Sequence, residues 1–303
     1  MKTRGGSSRH LQTQVVAPLD EVIGEVLVRT IARYAQLQAR VAWGLEGTRS
    51  FVEGLASEAL EPAERARIAG RLYGRRTAYG QTGLFAWERD WYQSDLPPAP
   101  AKILLGGCGS GREALVLCDM GYEVFACEPV ASLVQTAREA LQGRASVWPL
   151  SYEEWASARL SETATQLFSR APFDAVILGW GSLSHVLDDP MRERLFSQLV
   201  EFCPRGPILF SFMRGSPTSE GRMPRARGWG RRLGQLLARG RSVSTTRARE
   251  RLLPHVGFVR CSSDEEISSL ASRVGRIPKF HDSDGSPPHC TFLAPRSVPG
   301  APA

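Results

Sequence analysis

Near the start of the chain, apolar residues recur every three or four positions: Leu19, Val22, Ile23, Val26, Leu27, Ile31, Tyr34, Leu37 and Val41. That spacing predicts an amphipathic helix within residues 16–45. Pro62 is placed to open a second helix, with Ile68 and Leu72 on its inner side. An aromatic stretch from Tyr79 to Trp91 and a hinge, Leu96-Pro-Pro-Ala-Pro100, follow. Residues 16–99 therefore read as a helical layer packed on the domain that comes next.

From Lys102 the period changes. Short apolar runs near 102–106, 122–127, 145–149, 173–178 and 207–212 alternate with helical stretches, which predicts a parallel sheet. Asp188 and Pro190 open a helix whose Leu195 and Leu199 face inward. Ser263-Asp-Glu-Glu266 is a capping box for a helix that stops near Gly275. Residues 276–281 and 289–294 then read as two closing strands. The expected architecture is α/β, a seven-stranded, mostly parallel sheet flanked by helices over residues 100–296. Residues 1–15 and 297–303 are expected to be tails.

The segment 213–262 interrupts this plan. Arg214–Arg251 holds eleven arginines against Glu220 and Glu250 only. An insertion at the carboxyl end of a sheet lies where ligands bind. It is expected to cap a substrate; the other reading is a solvated loop.

The chemistry concentrates in Lys102-Ile-Leu-Leu-Gly-Gly-Cys-Gly-Ser-Gly-Arg-Glu-Ala-Leu and Tyr122-Glu-Val-Phe-Ala-Cys-Glu128. These read as a strand, a glycine turn, a helix start and a second strand ending in a carboxylate. Unpaired N–H groups at the helix start and a carboxylate about 20 residues on suit a nucleotide with its ribose. Gly107, Gly109 and Gly111 form G-x-G-x-G, whereas a dinucleotide fingerprint needs glycine at 112, which is Arg112.

With these residues the chain resembles the class I methyltransferases that use S-adenosyl-L-methionine. The resemblance is good over residues 100–213 and looser beyond, and it implies a Rossmann-like sheet. It also implies a methionine portion held at Gly107, Cys108, Gly109 and Gly111, and a ribose at Glu128 and Pro129. Gly179 and Trp180, ending the fourth strand, are then expected beneath the sulfonium, and adenine near Ser151, Tyr152 or Glu153. One departure stands out: Leu105 occupies the place of the family's usual acid, so the methionine amino group needs another anchor.

Tyr79 and Trp87 are candidate lid residues over the cofactor, with core packing as the alternative. His185 is the candidate general base, since a neutral imidazole can take a proton near pH 7; a structural role is the alternative. Arg112 and Glu113 are placed to pair or to flank the site. After the fourth strand there is no Asn/Asp-Pro-Pro-Tyr signature of enzymes that methylate base amino groups.

Composition changes this picture little. The 42% hydrophobic and 23% charged content suits an ordinary globule. No apolar run approaches the length of a membrane span, and the basic Met1–Ser8 stretch precedes no hydrophobic segment, so a cytoplasmic protein is expected. The six cysteines form no C-x-x-C pair, and His281, His289 and Cys290 fit no zinc spacing, so no metal is expected. The net charge of +7 comes from 35 Arg and 3 Lys, a bias that GC-rich coding can produce. The expected function is methyl transfer to a small or medium organic acceptor, such as a specialised metabolite. The alternatives are a non-catalytic S-adenosylmethionine-binding partner protein and an RNA-directed methyltransferase using the Arg-rich segment.

Overall fold

Strands β1 (Lys102–Gly106), β2 (Glu123–Cys127), β3 (Ser146–Trp148), β4 (Ala175–Leu178) and β5 (Ile208–Ser211) run parallel in the computed structural model. Strands β9 (Ile277–His281) and β10 (His289–Leu293) close the sheet as an antiparallel hairpin. The order is β3-β2-β1-β4-β5-β10-β9, the expected seven-stranded sheet. The structure describes residues 19–60, 64–65, 68, 72, 83–157, 159–215, 229–230, 232–233, 236–237, 250–253, 256–282 and 285–295. Pro62, Tyr79, both expected tails and most of the Arg-rich segment lie outside these residues.

The central strands are apolar beyond their first residues because both faces are covered. On one face Leu104, Val176, Leu178, Ile208, Phe210 and Phe292 pack under α6 (Glu162–Phe168), α7 (Asp189–Phe202) and α8 (Asp264–Arg273). On the other, Ile103, Leu105, Val124, Ala126, Ile177 and Leu209 pack under α2 (Ala86–Asp95), α3 (Arg112–Asp119) and α4 (Ala131–Leu141). The caps read from sequence are in place. Asp188 accepts from the Met191 N–H at 2.9 Å, and Ser263 and Glu266 form a reciprocal box.

Two features differ from the sequence reading. The ends of the 213–262 segment carry strands of their own. β6 (Met213–Arg214), β8 (Gly257–Ser262) and β7 (Glu250–Leu253) form a second sheet in the order β6-β8-β7. And α1 (Leu19–Ala59) runs 41 residues, past the expected end. Its C-terminal turns pack on the small sheet: Ala56 joins Leu187 and Phe258, and Glu53 accepts the Leu252 N–H at 2.7 Å. Tyr34, Leu37 and Val41 of the anticipated inner stripe are exposed.

Candidate active site

The loop from β1 into α3 is built by three glycines in left-handed conformations: Gly107 (φ 66°), Gly109 (φ 57°) and Gly111 (φ 91°). Each does something different. A Cβ on Gly107 would stand 2.8 Å from the Ser182 Cβ, so the loop after β4 presses on it. A Cβ on Gly111 would stand 3.2 Å from the Ala137 backbone, so this glycine lets α3 approach α4. Its N–H is already given to the Cys108 carbonyl at 3.0 Å. A Cβ on Gly109 would meet nothing within 4 Å. Among the described residues, the space over Gly109 is open and no side chain caps the N-terminus of α3 beside it.

Cys108 is buried and ties the loop to β2 through its N–H, 2.9 Å from the Cys127 carbonyl. Glu128 ends β2. Its two carboxylate oxygens accept the N–H groups of Gly109 and Val130, each at 3.0 Å. Burial pushes this carboxyl pKa up, and the two backbone donors pull it back. Pro129, next along, is exposed. At the exit of β3, Ser151 caps the short α5 (Tyr152–Trp155). The Tyr152 ring lies against Gly106, and its hydroxyl is 2.7 Å from the Ser182 hydroxyl.

The β4 exit crosses to the glycine loop. Gly179 donates its N–H to the Gly106 carbonyl at 2.7 Å, and Trp180 stands 45% exposed beside it. Trp180 meets Phe85 edge-on at 5.2 Å between centroids, and Phe85 stacks with Trp87 at 6.3 Å. The Gly181 N–H is held by the Ser211 hydroxyl at 2.7 Å. A 3-10 turn, Ser182–His185, follows. His185 bonds to the backbone of Phe258 in the small sheet, and burial lowers its pKa, so its imidazole is neutral near pH 7. Behind it the buried Arg192 donates to the carbonyls of Val186 (2.7 Å) and Leu183 (3.2 Å) and to the Ser262 hydroxyl (2.7 Å). A depression of about 590 Å³ between Ala156 and α7 shares no residue with the glycine loop.

Sequence reasoning missed a buried charged network beside the loop. Arg112 makes two 2.7 Å bonds to Glu88, donates to the Gly83 carbonyl at 2.8 Å, and lies over the Phe85 ring. The Tyr92 hydroxyl donates to Glu113. Burial, then the nearby Glu88 charge, raises the Glu113 pKa to about 7. Leu105 is fully buried in the apolar cluster that contains Tyr92 and Ala114. Glu88 on α2 and Glu113 on α3 are the nearby acids, each buried and already bonded, to Arg112 and Tyr92. The sequence reading paired Arg112 and Glu113 with each other; the structure instead pairs Arg112 with Glu88 and Glu113 with Tyr92, both from a separate aromatic segment.

Residues 104–208 match the family model described as a methyltransferase domain. That match covers about a third of the chain, and the seven-stranded sheet around it, residues 102–293, has the class I methyltransferase fold. S-adenosylmethionine is the cofactor, and the residues present suit it: an open glycine and a buried carboxylate directly after β2. The sequence matches no curated relative. Among solved structures, the domain resembles a TehB-like S-adenosylmethionine-dependent methyltransferase from Corynebacterium glutamicum (17% identity, 78% of this chain and 100% of that chain, TM-score 0.46). It also resembles a magnesium protoporphyrin IX methyltransferase from Synechocystis (14%, 77% and 100%, 0.48). A third similar structure, from Rhodobacter sphaeroides, is described as a putative Zn-dependent alcohol dehydrogenase (14%, 77% and 98%, 0.53). At these identities the likeness is one of fold. Among the described residues, no helix is long and apolar enough to cross a membrane.

Proposed function

We propose that this methyltransferase moves a methyl group to a small or medium organic acceptor bound at the carboxyl ends of β4 and β5. The open space over Gly109, between the Glu128 carboxylate and the exposed Trp180, carries this reading. When bound, S-adenosylmethionine supplies an electrophilic methyl group. Gly107, Gly109 and the first turn of α3 hold its methionine portion, and Glu128 with Pro129 faces its ribose. Gly179 and Trp180 line the sulfonium side. The protein's main task is to orient the acceptor and exclude water.

The acceptor side is lined by the aromatic rings of Trp180, Phe85 and Trp87, with Trp180 edge-on to Phe85, which suits an organic molecule better than a phosphate backbone. Arg214, which opens the Arg-rich segment, is already paired with Asp264 and Asp282 at 3.0 Å each. Calorimetry with S-adenosylmethionine and S-adenosylhomocysteine tests the reading. Micromolar binding is expected; a folded chain that binds neither at millimolar concentration overturns it. An affinity for RNA that collapses between low and moderate salt would favour the nucleic-acid reading instead.

A further inference from the structure

A second histidine lies on the acceptor side of the site. β10 runs between β5 and β9, so His289 pairs with Ser211 at the carboxyl end of β5. Ser211 in turn holds the Gly181 N–H, which places His289 beside the loop that carries Trp180. Its ring is packed by Trp91 (4.7 Å), Trp87 (5.0 Å) and His281 (5.2 Å, rings within 6° of parallel). Trp87 continues through Phe85 to Trp180, so a single aromatic wall runs from the β4 exit to His289.

The imidazole is set up to accept a proton. Nδ1 lies 2.8 Å from the Pro287 carbonyl, which can only accept, so Nδ1 carries the hydrogen and Nε2 the lone pair. Nε2 bonds to no described residue, and the histidine as a whole is 4% exposed. Burial, and the neighbouring His281, lower its pKa and keep it neutral, while the Pro287 carbonyl, Asp282 and Asp95 pull the other way. Lys279 and His281 are themselves paired to Asp95, at 2.5 and 2.9 Å.

The spacing fits a transfer. Two strand steps, from β4 to β10, cover about 10 Å. A hydroxyl oxygen about 3 Å from the methyl carbon and a ring nitrogen about 3 Å from that oxygen fill most of this span.

We propose that His289 is the base that takes the proton from a hydroxyl of a planar aromatic acceptor, whose ring lies along the Trp180–Phe85–Trp87 wall. The inference rests on the methyltransferase reading above. The acceptor oxygen forms the new bond to the methyl carbon, and the carbon–sulfur pair stays on sulfur. The hydroxyl proton goes to Nε2, and from the imidazolium to water.

The test uses 4-nitrophenol, whose phenolate is yellow, added to the full chain with S-adenosylhomocysteine. Binding should quench tryptophan fluorescence, and the bound probe should be enriched in phenolate. His289→Gln should retain the quenching but lower the bound phenolate-to-phenol ratio about tenfold, the equivalent of one pKa unit. In the wild-type chain labelled with 15N-histidine, the Nε2 signal of His289 should move to its protonated position when the probe binds. This second measurement needs no variant. Absence of probe binding overturns the proposal, as does an unmoved His289 signal. So does a phenolate signal lost in His185→Gln and kept in His289→Gln. Calorimetry of the cofactor on the same samples separates this failure from failure of the methyltransferase reading.

Discussion

The backbone N–H of Gly179 donates to the Gly106 carbonyl across 2.7 Å, joining the exits of β4 and β1 where the two strands stop pairing. A Cβ at position 179 would stand 2.6 Å from the Gly107 carbonyl oxygen, a backbone atom that cannot swing aside. Gly179→Ala should therefore shift the glycine loop. About 1–3 kcal/mol of stability should be lost to overpacking, together with a loss of S-adenosylmethionine affinity of about tenfold or more. Thermal melts and calorimetry report the two effects separately. Unchanged affinity would show that the loop tolerates the displacement.

Glu128 braces Gly109, and in the proposed function it also faces the cofactor. Hydrogen bonds to a charged group are worth about 1.5–3 kcal/mol each. Glu128→Ala should weaken S-adenosylmethionine binding by one to two orders of magnitude while the far-ultraviolet circular dichroism stays as in the wild type. Equal affinities in wild type and variant would remove Glu128 from the site.

Glu113 gives stability a pH dependence of unusual sign for a carboxylate. Its pKa rises from 4.5 to about 7 on folding. Across that window the folded chain keeps a proton that the unfolded chain has released, so stability falls as pH rises. The ceiling of the effect is about 3 kcal/mol. Glu113→Gln should raise the melting temperature at pH 8 by several degrees and change it little at pH 5. A gain that is the same at both values would assign it to packing instead.

Arg192 fastens the turn after β4 to the small sheet through three hydrogen bonds, and burial with the nearby Arg260 lowers its pKa to about 9. Arg192→Met keeps much of the volume and orphans those acceptors, which should cost about 2–4 kcal/mol in denaturant unfolding. A neutral result would mean that water replaces the guanidinium.

The five parallel strands were legible because each is a short apolar run bounded by turns. The expected 102–106 coincides with Lys102–Gly106, and the others agree within two residues at each end. The glycine loop and Glu128 were legible through spacing, since the turn admits little else. The small sheet was not: β8 reads Gly-Phe-Val-Arg-Cys-Ser, and all six residues are buried. Its Arg260 is neutralised by Asp189, distant in sequence, and by Glu266, six positions on in α8. Arg192 and Arg276 are likewise buried among partners that no local pattern reveals. The acceptor wall was half visible. Trp87 and Trp180 stood out singly, but their union with His289 depends on the register of β10 against β5.

That register has a further consequence. Ile208 of β5 pairs with Phe292, 84 positions later, as the two residue numbers give by difference. Until residues 289–293 leave the ribosome, Ile208–Phe210 is an open, apolar strand edge of the kind that recruits other chains. Synthesis of β10 thus supplies the chain's own edge guard. A chain stopped at residue 287 should pass into inclusion bodies, and addition of a peptide spanning 288–295 during refolding should recover soluble protein.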